Sequence, residues 1–268
     1  MADVSARQKT PPERLFDIHI HIWGAEDTDR EFLAFASQWK MRFAPSCLGP
    51  DGEMLIDPTV DQCIRANDLV LKYRDLYPDL LYGFCYVNPL HGQQAVDELR
   101  RCVAVHGMVG LKLWIACKCS DPKVFPLVEE ATNLGVPVLQ HTWRRTGGNF
   151  VGESYPEDMA ILAERYPQAR LLMAHMGLIW KPGIDAIKAY PNVCVDTSGF
   201  DPETGSMEYA VKELGVDRVL YGSDGPGRDI LCQIGKVASA DLADAEREKI
   251  FHLNAEKMIL PVPLKEQR

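Results

Sequence analysis

In one short segment, Phe16-Asp17-Ile18-His19-Ile20-His21-Ile22-Trp23, polar and apolar residues alternate strictly. Period-two alternation is the mark of a strand, and it places Asp17, His19, His21 and Trp23 on one face and the four apolar residues on the other. Two imidazoles at i and i+2 on one face stand close enough to hold a single cation. A lone histidine is more often a satisfied core residue. Two of them behind an aspartate, on a strand whose other face is wholly apolar, point to metal instead.

The same arrangement recurs further along the chain. Lys112 lies in Gly110-Leu111-Lys112-Leu113-Trp114, His141 in Val138-Leu139-Gln140-His141, His175 in Leu172-Met173-Ala174-His175, and Asp224 in Tyr221-Gly222-Ser223-Asp224-Gly225-Pro226. Each is an ionisable residue near the C-terminal end of an apolar run. Burying such groups without mutual compensation is costly, so a cation that neutralises and organises them is the economical explanation.

The elements that must position these residues follow from periodicity and punctuation. Strand-like runs fall at 16–23, 81–88, 108–115, 136–142, 170–176, 192–197 and 218–223, with helical patterns near 59–77, 92–106, 121–134, 156–166, 183–190, 203–214, 228–239 and 241–258. Asp121-Pro122 and Asp201-Pro202 read as helix starts, and Gly135 and Gly215 as helix ends. Strand–helix units repeating without a linker predict an α/β fold, a single (β/α)8 TIM barrel, for which a length of about 250 residues is typical. The barrel is expected over 15–262, between a polar N-terminal tail at 1–14 and a C-terminal tail at 263–268. Strand two is hard to place: only Glu53-Met54-Leu55-Ile56 is a candidate, so the barrel is expected to be short or irregular there. The ionisable residues then sit on the C-terminal rim, where barrel active sites are built.

With these motifs in order and at strand spacing, the chain resembles the amidohydrolase superfamily, and within it the amidohydrolase-related group that includes aminocarboxymuconate semialdehyde decarboxylase. The resemblance runs from the D-x-H-x-H of strand one through Tyr86-Val87-Asn88-Pro89, Lys112, His141, His175, Asp196-Thr197-Ser198-Gly199-Phe200 and Gly222-Ser223-Asp224-Gly225-Pro226 to Leu253-Asn254-Ala255-Glu256-Lys257-Met258. It implies a divalent metal, zinc in the first instance, held by His19, His21, His141 and Asp224. It also implies Asp224 as the proton shuttle, and His175 as a second-metal ligand or a group polarising the substrate. In binuclear relatives the lysine corresponding to Lys112 is carboxylated and bridges two metals; in mononuclear ones it meets a substrate carboxylate. One ion is favoured over two because the group is commonly mononuclear. With two, Lys112 and His175 join the ligands.

Trp23, Trp114 and Trp143 each follow an inward residue by two positions, and Trp180 follows strand six, so four of the five tryptophans are expected at the mouth. An aromatic wall there suits a flat or ring-shaped substrate. Trp23, Lys112, Trp114, Trp143 and Arg144 are the expected substrate contacts. Arg144, like its neighbour Arg145 and the loop residues Lys181 and Arg228, is suited to bidentate or charge recognition of a carboxylate. Asp196 and Ser198 are candidates for hydrogen bonds to substrate or to a metal ligand, while His91, His106 and His252 lie away from the pattern.

Composition narrows the partners. The 268 residues carry a net charge of -9, which disfavours nucleic acid. No apolar run approaches the roughly 18 residues of a membrane span, and the polar N-terminus lacks a signal-peptide core, so a cytoplasmic protein is expected. The eight cysteines contain no C-x-x-C pair and read as reduced thiols. A small molecule is the expected partner, and self-association as a homodimer is left open.

The leading functional expectation is a metal-dependent hydrolase acting on a small anionic lactone, amide or ester with metal-activated water. The alternative is a metal-dependent, non-oxidative decarboxylase of an unsaturated or aromatic carboxylic acid, with Arg144 holding a carboxyl group. A third reading, a non-catalytic metal-binding protein, sits poorly with an inward acid beside the ligands, because a structural site is normally closed by four protein ligands.

Overall fold

The computed structural model describes residues 12–199 and 201–259. Most of the expected N-terminal tail, all of the C-terminal tail, and Phe200 of the strand-seven motif lie outside the described residues. The order is β1 (Phe16–Ile22), α1 (Glu26–Gln38), β2 (Arg42–Cys47), α2 (Val60–Leu76), β3 (Phe84–Tyr86), α3 (Gln93–Arg100), β4 (Gly110–Leu113) and α4 (Phe125–Asn133). It continues with β5 (Val138–Gln140), α5 (Pro156–Arg165), β6 (Leu171–Met173), α6 (Trp180–Ile187), β7 (Val193–Asp196), α7 (Ser206–Leu214), β8 (Val219–Leu220), α8 (Ile230–Ala238), α9 (Asp244–Glu248) and α10 (Asn254–Ile259). This is the (β/α)8 alternation expected.

β3 to β8 form one parallel sheet in sequence order, and β1 pairs in parallel with β2. Sparse backbone hydrogen bonds join the two pieces at both seams. Phe43 donates to Leu80 O at 2.9 Å and Tyr82 donates to Phe43 O at 3.0 Å, while Ile18 donates to Tyr221 O at 3.0 Å and His21 to Gly225 O at 2.8 Å.

Two expectations about the first strands are corrected. Strand two is Arg42–Cys47, not Glu53-Met54-Leu55-Ile56; Pro45 within it hides the signal, since proline lacks the N–H that a central strand needs. The alternation of β1 is also broken. Its pairing with β2 shifts register between Asp17 and Ile20, which places an extra residue in β1. Phe16 and Ile18 therefore pack with Phe84, Leu139, Leu172 and Leu220, whereas Ile20 and Ile22 join the larger core under the helices. Leu139 registers with Lys112 and with Leu172, so the smaller cluster lies on the face of the sheet that carries Lys112. It forms an apolar floor beneath the polar site.

One glycine is required for that floor. A Cβ on Gly110 would lie 2.1 Å from Cε1 of Phe84, its register partner. Gly110→Ala is expected to cost about 1–3 kcal/mol of stability through overpacking, read as a lower urea midpoint. Adding Phe84→Leu, which shrinks the ring, should lessen the cost of the alanine; strict additivity of the two would contradict this account.

The helix ends follow the sequence closely. Gly135 and Gly215 adopt φ of 71° and 83° behind α4 and α7, as helix-terminating glycines do. Asp121 accepts from Lys123 N at the turn before α4. Asp201 does not cap α7, whose N-cap is Gly205. Among the described residues no helix is long and apolar enough to cross a membrane, and all eight cysteines are free thiols.

Candidate metal centre

The structure brings His19, His21, Lys112, His141, His175 and Asp224 together where the strands end. Ligand atoms of His19, His175 and Asp224 lie within 4.8 Å of one another. Asp224 Oδ1 is 3.3 Å from His21 Nε2 and 3.7 Å from His19 Nε2. His141 Nδ1 is 3.1 Å from His175 Nε2, and Lys112 Nζ donates to His19 Nε2 at 2.8 Å. His19, His175 and Lys112 are buried, whereas the Asp224 side chain keeps 21% of its surface exposed and faces the mouth.

The outer nitrogen of each imidazole is spoken for. His19 Nδ1 lies 2.8 Å from Asp196 Oδ2. His21 Nδ1 is 3.2 Å from Ser46 O and 3.1 Å from Ser46 Oγ, so a proton on this nitrogen is satisfied by the carbonyl. Ser198 Oγ donates to Asp196 Oδ1 and therefore accepts from His175 Nδ1 at 2.9 Å. His141 Nε2 is 3.0 Å from Glu153 Oε1. These partners assign protons to the outer nitrogens and leave lone pairs on the inner ones.

This assignment tests whether a cation fits. Two inward lone pairs face each other across the His141–His175 contact, and the inner nitrogen of His21 faces a carboxylate oxygen. Such pairs repel unless a positive charge lies between them. The donor set, imidazole nitrogens with one carboxylate and anchored outer nitrogens, is that of a divalent transition-metal site with open positions. The residues present fit the group.

Burial tunes the neighbouring groups. It lowers the Lys112 ammonium to about 8 against the opposing pull of Asp224 and Asp196. Burial and the nearby Lys112 charge bring His19 down to about 4, which favours the neutral form that a ligand needs. Asp17, behind the histidines, is raised to about 8 by burial, and its Oδ2 has no hydrogen-bond partner among the described residues. Its Oδ1 accepts from His19 N at 3.1 Å and Ser223 N at 3.0 Å, so Asp17 ties β1 to the loop after β8. Asp196, although buried, is held well below the usual carboxylate range by His19, His175 and Ser198.

Two site residues sit in strained backbone. His175 and Asp224 have φ of 61° and 60°, a region disfavoured for side chains other than glycine. Asp224 N donates to His19 O at 2.8 Å, and His175 N donates to Asp196 Oδ1 at 3.0 Å. These bonds hold both residues where regular strand geometry would have turned them elsewhere.

The aromatic wall is present in part. Trp143 stacks on His141 with centroids 5.3 Å apart and meets His175 edge-on at 4.8 Å. Trp23 lines a small recess with His21, Leu48, Gly49, Glu53 and Met54. Trp114 is half-buried. Trp180 instead donates from Nε1 to Glu203 Oε2 at 2.7 Å and packs edge-on to Tyr209, which places it against α7.

Two of the loop arginines are paired with carboxylates. Arg144 pairs with Glu157 and lies over the Tyr155 ring. Arg145 makes two hydrogen bonds to Glu153. Glu153 and Ser46 are functional neighbours that sequence reasoning misses. Glu153 lies in an irregular loop with no periodicity, and Ser46 lies in the unrecognised β2. Asp196 and Ser198 do bond to the imidazoles.

The pattern of the amidohydrolase family matches residues 16–259. The chain belongs to that family. Gamma-resorcylate decarboxylase of Rhodococcus jostii is 24% identical over 254 residues, 73% of this chain and 75% of the relative. The crystal structure of 5-carboxyvanillate decarboxylase from Sphingomonas paucimobilis superposes with a TM-score of 0.72 at 16% identity, covering 93% of this chain and 99% of that chain. A dihydroxybenzoic acid decarboxylase from Polaromonas, solved with manganese and 2-nitroresorcinol, gives a TM-score of 0.70 at 17% identity over 93% and 97%.

The expectation of hydrolysis is thereby corrected. The relatives matched over about three quarters of this chain are decarboxylases by name, which overturns a preference for metal-activated water on a lactone, amide or ester. The physical reason is that both reactions use the same imidazole and carboxylate set. Substrate and loops, not the ligand motif, decide which bond breaks.

Proposed function

We propose that this chain is a divalent-metal-dependent, non-oxidative decarboxylase of a small aromatic or unsaturated carboxylic acid. The observation that carries the reading is the convergence of inward imidazole lone pairs on the Asp224 carboxylate, in a chain whose matched relatives are named decarboxylases. A cation would be held by His19, His21, His141 and Asp224, with His175 and Lys112 beside it. When bound, it supplies positive charge that anchors and polarises the anionic substrate.

The remaining chemistry belongs to the chain. The reaction is R–COO⁻ plus a proton giving R–H and CO2: the electron pair of the broken C–C bond becomes the new C–H bond. Asp224 is the most exposed acid of the cluster, and its carboxylate, at the edge open to solvent, is the group to relay that proton to the carbon bearing the carboxylate. Trp143 offers a flat face beside His141 and His175 for a planar ring. Lys112, from the floor, adds positive charge beside His19 that favours an anionic substrate.

The test is product analysis in deuterated water with manganese or zinc and a panel of hydroxylated benzoates and unsaturated acids. Stoichiometric CO2 release, with one solvent deuterium on the carbon that lost it, is the expected result. No CO2 from any acid, with turnover of lactones instead, would sink the proposal. Elemental analysis of the purified protein decides between zinc, expected from the family resemblance, and manganese.

A further inference from the structure

We propose that Glu153 is a positioning residue that fixes the proton of His141 on Nε2 and thereby presents Nδ1 to the metal centre. The proposal rests on the metal-centre reading above, in which His141 is a ligand. Nothing in the strand pattern marks this glutamate: it lies in the loop between β5 and α5, ten residues beyond Trp143 in the chain, yet its side chain is fully buried.

The loop is built around that carboxylate. Arg145 donates to it through Nε at 2.8 Å and Nη2 at 2.9 Å, and Phe150 N donates to Oε2 at 3.2 Å. Burying a carboxylate unpaired is costly, and this fork with its backbone donor offsets the cost from the solvent side. The other side of the carboxylate faces the barrel, where Oε1 lies 3.0 Å from His141 Nε2. Because Glu153 can only accept when ionised, His141 must donate there, and its Nδ1 is left with a lone pair 3.1 Å from His175 Nε2.

Four further contacts hold the arrangement in register. Trp143 N donates to Ser154 O at 2.9 Å, which pins the end of the loop beside its start. A Cβ at Gly152 would lie 2.1 Å from Ile115 O, so only glycine lets the chain press against the segment after β4 and push Glu153 inward. Trp143 covers the face of the His141 ring, and Arg145 in turn lies 5.2 Å over the Trp143 ring. Stacking thus sets the plane of the imidazole, and Glu153 sets its rotation and tautomer. Arg145 is committed to Glu153, and its part in the site is to hold this carboxylate.

The test compares the full-length wild type with Glu153→Gln, Glu153→Ala and, as a loop control, Val151→Ser at a position 98% exposed. Nitrogen-15 NMR of the metal-free proteins reads the His141 tautomer, and calorimetric titration with Mn²⁺ reads affinity. Expected are an Nε2-protonated His141 in the wild type, loss of that single tautomer in Glu153→Ala, and affinity weakened about 10- to 100-fold. Glu153→Gln, which keeps the shape but not the charge, should fall between, and Val151→Ser should match the wild type. An unchanged tautomer and unchanged Mn²⁺ affinity in Glu153→Ala, or in Glu153→Gln should the alanine variant not fold, would overturn the proposal. If the wild type itself binds no divalent cation, the metal reading fails, while the tautomer comparison still decides whether Glu153 positions His141.

Discussion

Asp224→Asn is expected to lower kcat for CO2 release by about 10³-fold while leaving the far-ultraviolet spectrum unchanged. Asparagine matches the shape of aspartate and can keep the backbone turn at φ of 60°, since it is among the residues that tolerate that region. It cannot carry a proton between solvent and a substrate carbon, and it offers a weaker donor to a cation. The contact of Oδ1 with His21 Nε2 at 3.3 Å places the lost charge at the centre of the site. Steady-state CO2 release at saturating metal separates the two losses, because a purely ligating role would be rescued by raising the metal concentration. Activity within tenfold of the wild type would show that the proton reaches the carbon by another route.

The second large effect is expected from a residue with no side chain. Gly199 follows Ser198 and adopts φ of 83°; a Cβ there would lie 2.1 Å from His175 Nδ1 and 2.6 Å from its Cγ. Gly199→Ala therefore pays twice. Backbone strain at positive φ costs about 1–2 kcal/mol, and the clash adds about 1–3 kcal/mol as overpacking. The imidazole can escape only by giving up its bond to Ser198 Oγ, which holds its proton on Nδ1. Urea unfolding should show a loss of roughly 2–5 kcal/mol. Mn²⁺ affinity should fall with it, and Gly199→Ser should be no better. A fully stable alanine variant would mean that the loop after β7 relaxes without disturbing His175.

Much of the metal centre is legible in the sequence because strand periodicity is local. The inward placement of His19, His21, Lys112 and His141 follows from alternation within a few residues of each, and the apolar runs mark where each strand ends. His175 and Asp224 are legible only by analogy with these. Both lie past their strands, in left-handed backbone imposed by hydrogen bonds to Asp196 and to His19 O. The break in β1 is invisible in the sequence, since a register shift is a property of two strands. Strand two is hidden by Pro45, whose missing N–H argues against a strand assignment.

The choice of reaction shows the same boundary. An arrangement of imidazoles, a lysine and an aspartate specifies a place for a cation and for a proton. It does not specify whether the substrate offers a carbonyl to attack or a carboxylate to expel, because that information lies in the loops above the ligands.

By itself the sequence determined the barrel alternation, the set of inward ionisable residues and the family, because each is written in short-range periodicity and motif order. Only the tertiary structure decided which groups stand behind the ligands. Asp196, Ser198, Ser46 and Glu153 reach the imidazoles from β7 and its loop, from β2, and from the loop after β5. It also turned Arg144 and Arg145 toward Glu157 and Glu153, and Trp180 toward α7. The physical reason is that a hydrogen-bond partner is chosen by distance in space. A buried carboxylate or an unpaired imidazole nitrogen must be satisfied by whatever the folded chain brings within reach, wherever that lies in the sequence.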